Sequence, residues 1–175
     1  EIKEIINDKF SDKKLYHIIR SENGTKQQET IEYFKNIFQD MYVEFITYDA
    51  RDKSCINSIL EEQPKKHTFI FVKEKLRCAK TLCKRYAGIF YERCVSNPFD
   101  SVTIQGLIGR DCGYDNNGFS IHFTNIESII KYKKLIDSNV EAQVKWISQT
   151  TKYDYNGNLY GSGTVNAITN YCDNN

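Results

Sequence analysis

Proline is almost missing from this chain, with Pro64 and Pro98 the only two in 175 residues. Together with the absence of any low-complexity stretch, this leaves no sign of a linker in the first 150 residues. An excess of charge of either sign is missing too, with 24 basic and 23 acidic residues. The net charge is +1, so a nucleic-acid surface would have to be a local patch rather than a global field. No apolar run approaches the roughly 18 residues of a membrane span, and no secretory signal opens the chain. A membrane partner is therefore not expected, and the expected location is intracellular: cytoplasm, nucleus or virus-associated. Asn23-Gly24-Thr25 is a formal glycosylation acceptor without a secretory signal to bring it into use. The first residue is Glu1 rather than methionine, as expected of an excised piece. None of the six cysteines has C-x-x-C spacing, and the three histidines stand apart, so no zinc site is expected and the thiols should be reduced. The phosphate-binding pattern G-x-x-x-x-G-K-[S/T] is absent as well, so this chain alone should not hold a nucleoside triphosphate tightly.

What is present is an ordinary globular composition, 40% hydrophobic and 27% charged, long enough for a real core. Apolar patterning predicts strands over 15–20, 42–48, 67–72, 87–91 and 119–124, and helices over 25–39, 52–61, 101–110 and 126–136, with a basic helix or loop-helix over 75–85. The third strand, His67-Thr68-Phe69-Ile70-Phe71-Val72, is nearly all apolar, as a strand buried on both faces should be. Near-strict alternation of strand and helix from residue 15 to residue 136 predicts an α/β fold, a parallel sheet with helices on both faces. Such sheets bind ligands at the carboxyl ends of their strands. Residues 1–13 read as a leading helix or linker, 14–136 as the α/β domain and 137–175 as a less regular extension. Within the extension, Asn156-Gly157 favours a hairpin turn, and Trp146 is expected to anchor the tail.

Three segments carry candidate chemistry. The first strand ends on Arg20. The strand from Thr68 to Val72 runs into a basic cluster, Lys73, Lys75, Arg77, Lys80, Lys84 and Arg85, with Thr81 among them. Lys73, Arg77 and Lys80 would share one helical face. Such a cluster suits phosphate contacts, although a solvated cationic face is the usual fate of a charge run. Third, Gln105-Gly106-Leu107-Ile108-Gly109-Arg110 sets a glutamine ahead of a glycine-arginine pair, just before the last strand. The plainer role for Arg110 is a salt bridge to Asp111 or Asp115, or a solvated helix end. His17 and His122 read as core or rim histidines.

In this order, the segments resemble motifs IV, V and VI of the second RecA-like domain of superfamily 2 helicases and translocases. The version seen here looks most like the divergent helicases of phages and large DNA viruses. The likeness covers residues 14–136. It departs from the family at Gly109, four positions after Gln105 instead of three, and at Gly113 and Ala79, where the family has a second arginine and a glycine. The resemblance implies a motor half that is inactive alone and works with an N-terminal RecA-like domain of the same chain. That domain would hold most of the ATP and Mg2+. Arg110 would be the finger for the transferred phosphoryl group, with Gln105 and Gly109 beside the nucleotide. Arg20, Thr68, Lys73, Arg77, Lys80 and Thr81 would grip a DNA or RNA backbone. Two other readings of the same fold are a non-catalytic nucleic-acid- or protein-binding module and a small-molecule enzyme. The second is disfavoured by the single glycine in Ser21-Glu22-Asn23-Gly24-Thr25.

Overall fold

The computed structural model describes residues 1–21, 24–49, 51–73, 81–92, 98–111, 117–153, 156 and 159–168. These form two compact units, one of Glu1–Arg93 with Leu107–Thr124, the other of Cys94–Gly106 with Asn125–Asn175. The fold class is as expected, α/β with a parallel sheet.

The first unit is built on five parallel strands: β1 (Tyr16–Arg20), β2 (Val43–Tyr48), β3 (His67–Val72), β4 (Ala87–Tyr91) and β5 (Ile121–Phe123), in the order β2-β3-β1-β4-β5. Side chains alternate across this sheet, so each face carries its own apolar cluster. On one face Leu15, Ile19, Phe69, Phe71 and Ile89 pack against Ile6 and Phe10 at helix α1 (Ile2–Lys9) and Ile31, Phe34 and Phe38 at helix α2 (Thr25–Ile37). On the other, Ile18, Ile70, Val72 and Phe90 pack against Ile56 and Leu60 of α3 (Ile56–Leu60) and against Leu107. Every residue of β3 is buried, which accounts for its nearly unbroken apolar run.

In the second unit are helix α4 (Asp100–Gln105), helix α6 (Ile126–Asp137) and an antiparallel pair, β6 (Lys145–Tyr153) and β7 (Leu159–Ile168). Its polar centre is Asp100, 2% exposed. The Asp100 carboxylate accepts from Ser128 Oγ at 2.6 Å, Lys131 Nζ at 2.9 Å and the Ile147 amide at 2.8 Å. Burial alone would raise its pKa, but these bonds and the Lys131 charge outweigh that and hold it below the usual carboxylate value. The antiparallel pair brackets Asn156, as the hairpin signal implied, and the Trp146 ring lies tilted beside that of Tyr132 of α6, with centroids 6.4 Å apart.

Some elements differ from the sequence expectation, and residues 81–85, the described end of the expected basic helix, are not helical. The helix expected over 101–110 divides at Gly106 into α4 and a short helix α5 (Leu107–Arg110), which belong to different units. The last strand starts at Ile121 rather than Phe119, because Asn117 Oδ1 takes the amides of Phe119 and Ser120 at 3.1 Å each. Helix α3 starts at Ile56 rather than Asp52, because Asp52 closes a turn onto the Asp49 amide at 2.7 Å. Among the described residues no helix is long and apolar enough to cross a membrane.

Candidate functional site

β1 feeds α2 on one face of the sheet, whereas the segment after β4 returns through α5 on the other. β1 and β4 are neighbours, so their carboxyl ends make the switch point where an open α/β sheet offers a crevice. Two charges meet there. Arg20 closes β1, and Glu92 follows β4 directly. Ile19 lies opposite Tyr91, which brings the next pair, Arg20 and Glu92, together. Arg20 Nη1 reaches Glu92 Oε1 at 3.1 Å and Oε2 at 3.0 Å. The Glu92 side chain is 7% exposed and that of Arg20 34%, so the carboxylate is the desolvated member of the pair. Glu92 is satisfied further. Its Oε2 accepts from the Leu107 amide at 3.0 Å, and its own amide donates to the Phe123 carbonyl at 2.8 Å. Next to this pair, Ser21 is buried with an unpartnered Oγ.

The glycine-arginine pair lies in α5. Glu92 holds the first amide of this helix, Leu107 is 1% exposed in the core, and the Arg110 carbonyl accepts from the Leu82 amide at 2.8 Å. Arg110 itself is half-buried. Its Nε is buried without a hydrogen-bond partner, and among the described residues it has no ion-pair partner. The expected salt bridge to Asp111 does not form. Asp111 Oδ2 turns to His122 Nε2 at 2.7 Å, and the His122 ring stacks on Phe90 with centroids 4.9 Å apart. Asp115 lies outside the described residues. Gly109 sits inside α5, half-buried, while Gln105 is exposed at the end of α4 in the other unit.

The expected phosphate contacts fare unequally. Thr68 is 2% exposed and donates its hydroxyl to the Lys66 carbonyl at 3.1 Å. That corrects the expectation for Thr68, which has no surface to offer a nucleic acid. Lys73 is half-buried just past β3, its amide bonded to the Tyr48 carbonyl at 2.9 Å. Thr81 is exposed, and its carbonyl accepts from Asn57 Nδ2 at 3.0 Å. Arg77 and Lys80 lie outside the described residues. Arg20 is where expected at the carboxyl end of β1, but it is paired with Glu92 rather than free. Nothing in the sequence marks Glu92. A lone glutamate after a strand carries no motif, and only the β1–β4 adjacency brings it to Arg20.

At the opposite, amino ends of β1 and β3, His17 Nε2 and His67 Nδ1 lie 3.0 Å apart, with His17 fully buried. Burial, then the neighbouring His67, pushes the His17 pKa well below 6.5. Burial, then Lys14, brings His67 down to about 4. Both rings are neutral at ordinary pH, which is what one shared N–H···N bond requires. Among the described residues no group of three histidines, cysteines or carboxylates could hold a metal.

The chain is 33% identical over 102 residues to “Uncharacterized protein L594” of Acanthamoeba polyphaga mimivirus. The match takes in 57% of this chain and 26% of that protein, so the chain spans about a quarter of the relative's length. No family model matches the chain, and no solved structure matches it.

Proposed function

We propose that this chain is the second motor half of an ATP-dependent nucleic-acid helicase or translocase, supplying Arg110 to a nucleotide held mainly by another domain. The observation that carries the reading is the state of Arg110. A half-buried arginine with a buried, unpartnered Nε, and with no ion-pair partner among the described residues, is costly unless an anion meets it in the working protein. The planar fork of arginine suits a phosphoryl group, whose charge spreads over three oxygens in transfer. The parallel sheet and the likeness to motif VI support the same reading. In this reading the Mg2+ would be held mainly by the domain that holds the nucleotide.

A second reading, a non-catalytic nucleic-acid- or protein-binding module, draws support from Thr68 and Arg20. One is buried and the other is paired with Glu92, which weakens the case for both as backbone contacts. ATP hydrolysis by the full-length natural chain, with and without single-stranded DNA or RNA, separates the two. The motor reading expects stimulation by nucleic acid and a loss of about 10³-fold or more in Arg110→Ala, with ATP binding intact. Absence of hydrolysis by the wild-type full chain would favour the binding module.

A further inference from the structure

We propose that Glu92 is a positioning residue for Arg110, acting through the start of helix α5. This rests on the role given to Arg110 under Proposed function. α5 is only four residues long, too short to hold itself by its own backbone bonds. Its geometry is therefore imposed from outside, and among the described residues three contacts stand out. The Leu107 side chain enters the core, the Leu82 amide takes the Arg110 carbonyl, and the Glu92 carboxylate takes the Leu107 amide. Of these, Glu92 is the one held by side-chain bonds among the described residues. Arg20 grips both of its oxygens, and its backbone is bonded to the end of β5. A buried carboxylate at the first amide also complements the unpaired N–H groups of a helix start. The arrangement carries the register of the central sheet, through β1 and β4, to the helix that bears Arg110. Catalytic groups displaced by about 1 Å can lose on the order of 10²-fold in rate, so a rigid support of this kind matters to the rate without touching the nucleotide.

The test uses the full-length natural chain, measuring ATP hydrolysis stimulated by a single-stranded DNA or RNA oligonucleotide. Glu92→Gln keeps the shape but weakens the grip on Arg20 and the Leu107 amide. Glu92→Asp keeps the charge but shortens the reach, and it carries the test if the glutamine variant does not fold. The expected result is a kcat lowered roughly 10- to 100-fold with the KM for ATP unchanged, in protein whose melting curve still shows a cooperative transition. In the double variant with Arg110→Ala, the Glu92 change should add no further loss, because a group that acts through Arg110 has nothing left to position. Wild-type kcat in both Glu92 variants would overturn the proposal. So would losses that multiply in the double variant, the mark of a general structural defect. If Arg110→Ala hydrolyses ATP like wild type, the reading of Arg110 itself fails and takes this inference with it.

Discussion

Arg20 and Glu92 show how one buried charge decides what its neighbour can do. Glu92 is withdrawn from water and relies on Arg20 and the Leu107 amide for compensation. Removing Arg20 would strand the carboxylate, a worse outcome than losing the pair together. Arg20→Met should destabilise the first unit by about 2–3 kcal/mol, at or below the bottom of the roughly 3–5 kcal/mol for broken buried pairs, because Arg20 is a third exposed. Adding Glu92→Gln should recover part of that loss. Urea unfolding of wild type, both single variants and the double variant checks this. Additive losses would mean that the two side chains do not depend on each other. The same pairing bears on nucleic-acid contact: a phosphate approaching Arg20 has to compete with Glu92 for the guanidinium.

Among the elements, β1 and β3 share the buried histidine pair, and its protonation sets an acid limit on the sheet. Both folded pKa values are depressed, so the unfolded chain takes up protons first as pH falls. The stability secured by the neutral pair is fully present above about pH 6.5 and declines as pH falls towards 4. Melting temperature should drop across that window, and His17→Leu should remove most of the slope. A wild-type profile flat from pH 7 to pH 4 would show that the pair does not titrate with unfolding. The strands themselves were largely legible, because burial on both faces leaves a plain apolar run, as in Phe69-Ile70-Phe71-Val72. The break at Gly106 was not. An isolated glycine is compatible with a continuous helix, and what restarts the chain at Leu107 is a carboxylate fifteen residues earlier in sequence. The Gln105 to Arg110 motif was legible as a string, but its two ends belong to different compact units. Arg20 was found because it ends a strand; Glu92 was not, because strand order is a property of the folded sheet.

At the scale of the whole molecule, the two units rest on different kinds of glue. The first has apolar clusters on both faces of its sheet, whereas the second gathers α4, α6 and β6 around the single carboxylate of Asp100. Asp100→Ala should therefore loosen the second unit selectively. Hydrogen exchange should accelerate in α6 and β6 while β1 and β3 keep their protection. Equal acceleration in both units would show that they unfold as one. The strand order has a consequence of another kind. β1 is made first but lies at the centre, and its partners β3 and β4 begin about fifty and seventy residues later. The core of the sheet can thus close only after the chain has been made past residue 91, since each ladder of β1 bridges a long loop. Non-local parallel pairing of this sort folds slowly for its size. Until β4 emerges, β1 holds an open ladder edge. A ribosome paused before that point would display one of the stickiest segments of the protein, Tyr16 to Arg20, to any neighbour able to add a strand.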